Sequence, residues 1–540
     1  MLRDSGVRLM WVSVCATAIL LAVLSAGLPA DGYFAGDSGV KLIAAFNAID
    51  HPARPFEIAL PRIAGQPVPY VERFFAVHGL HAHALQSPLF PVISAPLIAA
   101  FGLRGAYVLP VLCFLALIPA VYAIGRRAAP AASTGMLLCM AILSNPLAFY
   151  AFEFWEHVPA AACLAGGIVL AVGWRELPAA PAAVSLGGAL AAAAALLRPE
   201  AFWGAVAVGA VAVHRRRGIP YVFGAALPLA AYATANYFEA GTLLGPHVAA
   251  NLAAVSDRWI LSRLHYAWVW LVPQAPLHWV GLAVVAGGWL VSSLEAEVRR
   301  AQAIALAGIA LMAAASALGA GARASLWHAW PVGFLLLVPG LRARASRELW
   351  WLAGFTTVVI WLSSTNDGGA QWGPRFLLIL APLLMVLAAA AASEAAGPGW
   401  ARPARRLLIA AVIACGLWTT RAAYKELRGA KQYYSRLTAH AAKVAAPGTH
   451  VIFNAWWFDQ VVAPLHRDRT FLFADSTSRG TEILNALGAA GVRNAVLAWS
   501  RESGEGGSLE PSLRSSCFRI DGIVEVPERE MTFARVRCGP

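Results

Sequence analysis

Apolar runs of membrane-spanning length recur in this chain from residue 9 to residue 420, and arginine clusters flank most of them at one end. A helix of about 20 apolar residues crosses the hydrocarbon of a bilayer. Every backbone polar group inside that layer must be satisfied by the protein itself, so a chain with this pattern crosses as helices. The pattern predicts an all-α polytopic membrane domain. Composition agrees: 59% of the 540 residues are hydrophobic and 13% are charged. A soluble chain of this length does not hide so much apolar surface. The net charge of +13 belongs first to cytoplasmic loops. No basic stripe lies on a soluble face, so a nucleic-acid partner is not expected.

The first run, residues 9–29, is flanked by Arg3 and Arg8. It is long and more spans follow, so it reads as an uncleaved first helix with a cytoplasmic N-terminus. Residues 30–87 are too polar to span and form the first extracytoplasmic loop. Within it, the mixed run from Val71 to His78 predicts a short helix on the membrane surface. Residues 88–102, broken by Pro91 and Pro96, read as re-entrant or interfacial. Further spans are expected at 105–124, 128–146, 157–173, 182–197, 201–213, 219–238, 278–294, 301–320, 329–341, 348–363, 375–392 and 404–420. With the first helix they make about thirteen at the 20-residue rule. Trp259, Trp268 and Trp270 mark an interfacial loop after 219–238. Arg126-Arg127, Arg175, Arg215-Arg216-Arg217, Arg299-Arg300, Arg342, Arg344, Arg347, Arg402, Arg405 and Arg406 then fall on one side, and the acidic motifs on the other.

Composition changes after residue 421, which divides the chain into a membrane domain, 1–421, and a C-terminal domain, 422–540. Residues 422–446 have an amphipathic helical pattern. Val451-Ile452-Phe453, Phe471-Leu472-Phe473, Ala495-Val496-Leu497 and residues 532–537 have strand patterns, with a helical stretch at 479–490. Alternating strands and helices predict a small α/β domain. The topology places it outside the cytoplasm, where Cys517 and Cys538 could pair. The other five cysteines sit in apolar runs as packing residues. No cysteine spacing resembles a zinc site.

The stretch Asp31-Gly32-Tyr33-Phe34-Ala35-Gly36-Asp37-Ser38-Gly39-Val40-Lys41 follows the first helix directly. Carboxylates at a membrane face are costly unless used. The glycines give the backbone freedom to turn and let a ligand approach. A solvated turn explains the same residues equally well. The expected outer face also collects Glu153, Glu156, His157, Arg198, Glu200 and Arg375. A carboxylate there can act as general base on a hydroxyl, and arginines can hold a phosphate by bidentate hydrogen bonds. Taken singly, each of these charges is as easily a helix cap. Their joint occurrence on one face favours function. Glu153, Glu156 and His157 also suit a divalent cation, with Asp37 as a further ligand, but they are too few alone. His78, His81 and His83 cluster in the first loop as acceptor contacts or simply as polar loop.

Four stretches together resemble the GT-C class of integral-membrane glycosyltransferases, in its RgtA/B/C/D-like and dolichyl-phosphate-mannose-protein mannosyltransferase-like branch. They are Gly32–Lys41, Phe154-Trp155-Glu156-His157, Leu197-Arg198-Pro199-Glu200 and Gly368-Gly369-Ala370-Gln371-Trp372-Gly373-Pro374-Arg375-Phe376. One local departure is Gln86-Ser87-Pro88-Leu89, where relatives often carry His-Pro-Pro or Tyr-Pro-Pro. The resemblance implies an inverting transferase that takes a sugar from a polyprenyl-phosphate donor at the outer leaflet. It implies Asp37 as base or acceptor-orienting carboxylate, and Glu156 beside it in the catalytic set. Arg198, Arg375 and Lys41 would hold the donor phosphate. Glu153, His157, Glu200 and His78 would shape an acceptor or metal site. The acceptor stays open among lipid, polysaccharide and protein. A transporter or flippase of lipid-linked sugars is the rival, but the inverted halves such a protein would show are absent from the sequence. A scaffold whose last domain binds a partner is a third reading.

Overall fold

The computed structural model describes residues 2–539 except 64, 69–73, 79–80, 174–179, 247, 249–258, 273–274, 295–297, 320–324, 340–344, 365, 367–371, 396–401 and 502–506. The chain divides into two compact units. The first holds residues 1–25, 109–232 and 254–427, and the second holds 26–108, 233–253 and 428–540.

The first unit is helical. Among the described residues of the whole chain, seven helices are long and apolar enough to cross a membrane, from Ser5–Ala26 to Pro403–Val444, and three more apolar helices are shorter. This is an integral membrane protein. Length and composition do not reproduce the expected thirteen spans. The span expected at 128–146 is only the short helix Thr134–Ile142, and a second short helix, Leu147–Ala151, follows it. Asn145 separates them: its amide donates back to the Ala141 carbonyl and its oxygen accepts from the Leu147 N–H. Residues 329–341 hold a 3-10 helix, Pro331–Leu337, after the four-residue helix Leu326–Ala329. The Pro331 ring cannot continue an α-helix. The expected tryptophan loop is instead the helix Trp259–Leu271. The helix Arg402–Val444, of 43 residues, runs through the position expected to divide the chain near 421, and the change from the first unit to the second falls inside it, between residues 427 and 428.

Small residues let the helices of this unit approach closely, which is how apolar helices pack where lipid gives no hydrophobic drive. A side chain on Gly167 would meet the Gly187 carbonyl, and one on Gly288 the Ala301 carbonyl. Large apolar groups point the other way: Ile219, Phe223 and Leu227 lie exposed on the helix Gly218–Ala240.

In the second unit, Asp37–Asp50 is a helix within a stretch read as loop, and Ser38 through Ala48 are buried. Two hairpins follow, β1 (Arg62–Ile63) with β2 (Gln66–Pro67) and β3 (Phe75–His78) with β4 (His81–Ala84). The surface helix expected from Val71 to His78 is therefore a strand over its last four residues, and residues 71–73 lie outside the described ones. Pairing explains the difference: Phe75 lies opposite Ala84 and is buried. The segment expected to be re-entrant is the helix Leu89–Phe101, which passes through a 3-10 turn into Val108–Ala128.

The expected small α/β domain is present. Its strands are β5 (His450–Phe453), β6 (Thr470–Phe473), β7 (Asn494–Ser500), β8 (Phe518–Val526) and β9 (Met531–Cys538), in sheet order β6-β5-β7-β9-β8. β5 runs parallel to β6 and β7, and β9 antiparallel to β7 and β8. Period-two alternation gives the sheet two apolar faces. Ile452 and Leu497 pack with Ile483, Leu484 and Leu487 of the helix Thr477–Ala489. Val451, Phe453 and Val496 pack with Leu437 and Ala441 near the end of the long helix.

Cys517 and Cys538 are bonded, with Cα atoms 4.9 Å apart and a sequence separation of 21. Closing a loop of that length is worth about 3 kcal/mol through the unfolded chain. Cys517→Ser is therefore expected to lower the melting temperature of the purified protein. Added reductant should reproduce that shift in the native protein and leave the variant unmoved.

Candidate active site

Three local structures in the first unit converge. The turn Phe152–Glu156 lies between the helices Leu147–Ala151 and His157–Ala171. Glu153 and Glu156 are thus in a turn, not three apart on a helix as a metal-binding pair would be. Tyr150, Trp155 and His157 pack ring against ring, with centroids 4.7 Å apart for Tyr150–His157 and 5.3 Å for Trp155–His157. The Tyr150 hydroxyl donates to the Trp372 carbonyl at 2.8 Å, which ties this turn to the loop carrying Arg375.

The Leu197-Arg198-Pro199-Glu200 stretch is a connection between helices. Pro181–Leu197 ends with Arg198 in extended conformation, and Ala201–His214 starts after Glu200. Pro199 disfavours helix at Arg198, which leaves that side chain to turn inward. Arg198 Nη1 donates to Glu156 Oε1 at 2.9 Å and Nε to Glu200 Oε1 at 2.7 Å, while Nη2 also binds Glu200. Burial alone would disfavour the guanidinium cation, but Glu200 and Glu156 outweigh it and hold Arg198 firmly protonated. Three of its five N–H groups are directed at carboxylates, leaving two for a ligand. The Phe376 ring centroid lies 5.7 Å from the Arg198 guanidinium and 5.2 Å from that of Arg375, so one aromatic ring gathers both cations. Glu153 is fully buried in the same turn.

The sequence-predicted residues of the first unit therefore come together: Glu153, Glu156, His157, Arg198, Glu200 and Arg375. Tyr150 and Phe376 belong with them and were not anticipated. Phe376 closes a motif singled out in the sequence, whereas nothing local marks Tyr150. Gly368-Gly369-Ala370-Gln371, expected beside Arg375, lie outside the described residues. Among the described residues no three His, Cys, Asp or Glu side chains gather as a metal-binding group.

Asp37, Lys41 and His78 belong to the second unit. Asp37 opens the helix Asp37–Asp50, where the backbone N–H groups favour a negative charge. Lys41 follows one turn later and is 2% exposed. The preceding loop is pinned by the long helix: Lys431 donates to the Gly32 carbonyl and to the Tyr107 hydroxyl, both at 3.0 Å, and Ser435 donates to Asp31 at 2.7 Å. Asp31 is thus a structural acceptor. His78 is in β3, and its side chain lies outside the description. His81 pairs with Glu57 at 2.7 Å and His83 contacts the Phe56 carbonyl at 3.2 Å, so both hold the loop.

Asp459 in this unit is fully buried. Burial pushes its carboxyl up to about 7, against a hydrogen bond from the Gln460 amide. An unfolded aspartate ionises near 3.9, so the stability present below about pH 4 is lost as pH rises towards 7, by about 4 kcal/mol in all. Asp459→Asn removes that loss. It is expected to melt well above the native protein at pH 8 and close to it at pH 4.5, in unfolding followed at both pH values.

The crystal structure of ArnT from Cupriavidus metallidurans in the apo state is similar to this chain with a TM-score of 0.52 at 12% identity, over 99% of this chain and 98% of that one. ArnT from the same organism bound to undecaprenyl phosphate matches at a TM-score of 0.48 and 11% identity, over 97% of each chain. The Archaeoglobus fulgidus oligosaccharyltransferase in complex with Zn and sulfate matches at 0.44 and 12%, over 96% of this chain and 73% of that one. The fold assignment rests on the first: the architecture is of the GT-C class, as the four motifs imply. No family model matches the sequence, and no curated protein matches it.

Proposed function

We propose that this protein is a membrane glycosyltransferase that moves a sugar from a polyprenyl-phosphate donor to an acceptor hydroxyl at the outer face of the inner membrane. The observation that carries this reading is the gathering of Arg198 and Arg375 on one Phe376 ring, with Glu156 and Glu200 on Arg198. Such a site suits a leaving phosphate. The acceptor oxygen attacks the anomeric carbon as the bond from that carbon to the phosphate oxygen breaks, which inverts the configuration. Asp37 takes the acceptor proton, and polyprenyl phosphate departs with the electron pair. The arginines, with Lys41, neutralise the charge that develops on the leaving oxygen. Glu153, Glu156, Glu200 and His157 orient the arginines and the acceptor, and His78 is an acceptor contact of the first loop.

Two features support the orientation, with the N-terminus cytoplasmic and residues 422–540 forming an extracytoplasmic domain. The arginine clusters favour the cytoplasmic side. The Cys517–Cys538 bond suits an oxidising compartment.

The test is transfer of labelled sugar from a panel of polyprenyl-phosphate sugars to lipid, polysaccharide and protein acceptors in membranes carrying this protein, with and without EDTA. Transfer that depends on Asp37 supports the reading. Movement of lipid-linked sugar across the bilayer without transfer overturns it in favour of a transporter.

A further inference from the structure

The C-terminal α/β domain carries no recognisable motif, yet one of its segments lies along the whole helix that bears Asp37. At the start of that helix the contact is made by Gln460. Gly36 has φ −58°, a conformation open to any residue, so no turn requires glycine there. What requires it is space. A Cβ on Gly36 would collide with the Gln460 side-chain oxygen, and a Cβ on Gly39 with the Gln460 backbone carbonyl. The glycines on either side of Asp37 make room for Gln460, its side chain at Gly36 and its backbone at Gly39, where the sequence pointed to a ligand. At the other end of the helix, Arg467 donates to Asp50 at 2.9 Å and stands 5.5 Å from the Phe46 ring centroid. That exposed pair is worth little by itself. Gln460 is 1% exposed, and its side-chain amide donates to the Trp456 carbonyl at 3.3 Å. It is a fixed stop and not a mobile surface group.

We propose that Gln460 is a positioning residue that seats the first turn of the helix Asp37–Asp50 and so aims Asp37 at the acceptor hydroxyl. The C-terminal domain then serves the transfer step directly, besides anything it recognises. This rests on Asp37 being the base. A base misplaced by a fraction of an ångström loses rate while the donor still binds.

The test is a double-mutant cycle of Gly36→Ala and Gln460→Ala in the full chain, read by kcat, by KM for the donor and by melting temperature. Each single variant is expected to lower kcat by on the order of ten-fold with KM for the donor unchanged. The double variant should be no worse than Gln460→Ala, because truncation removes the atoms that the new methyl would meet. Gln460→Glu keeps the length and adds a like charge beside the turn. It should move the acid limb of the kcat–pH profile to higher pH. Non-interacting effects of the two substitutions on melting temperature would show that the contact is absent and overturn the proposal. Coupled melting temperatures with unchanged kcat and pH profile would also overturn it, by reducing Gln460 to packing. If the native protein transfers no sugar, the error lies in the assigned function, and coupling in melting temperature alone still tells that outcome from a missing contact.

Discussion

Asp37→Asn is expected to reduce sugar transfer by about 10²–10⁴-fold, the range over which a positioned general base contributes. The substitution preserves shape and removes the negative charge, and with it the ability to take a proton. Its structural cost is small, since a carboxylate at a helix N-terminus contributes about 0.3–1 kcal/mol. The expected signature is therefore lost kcat with retained donor KM and an almost unchanged melting temperature. Labelled transfer in membranes, measured beside thermal unfolding of the purified variant, checks all three. Activity equal to the native protein would move the base to Glu153 or Glu156, both of which lie in the first unit.

Arg198→Ala is expected to act on stability as well as on rate. Its guanidinium is held by Glu156 and Glu200, whose side chains are 5% and 9% exposed. Removing one partner of a buried ion pair leaves uncompensated charge, at a cost of about 3–5 kcal/mol. The variant should melt much lower and bind the donor more weakly. Arg198→Lys separates the two effects. It keeps the charge, so most of the stability should return. It loses the planar fork, so transfer should stay low. Adding Glu200→Gln to Arg198→Ala should recover part of the stability, because one stranded charge is gone. Melting temperatures of the four proteins, with transfer rates for each that folds, decide the outcome. Equal stability of Arg198→Ala and the native protein would mean that the carboxylates are neutral or solvated.

Several parts of the site were readable because their cause is local. Pro199 sits where a helix must stop, so the stretch from Leu197 to Glu200 had to leave Arg198 and Glu200 within two residues of each other at a helix junction. The strands at 451–453, 471–473 and 495–497 were legible as short apolar runs bounded by turn residues. Other parts were hidden because their cause is distant. The helix Asp37–Asp50 lies in a stretch too polar to span, and it is buried by packing within its own unit. The strand at Phe75–His78 has mixed polarity and takes its conformation from pairing with His81–Ala84. Asn145 reads as one polar residue in an apolar run until its hydrogen bonds show that it ends one helix and starts the next.

By itself the sequence determined that the chain is a membrane protein with an α/β C-terminal part, and which charged residues were available for chemistry. Hydrophobic length and period follow from the solvent that each segment meets, and that information is carried residue by residue. Only the tertiary structure decided which of those charges meet. Tyr150, Arg198 and Phe376 are separated by 48 residues or more in sequence. So are Gly36 and Gln460. Contacts at such separation depend on how helices and strands pack, through small residues that allow close approach and buried groups that must find partners. No local pattern encodes that choice.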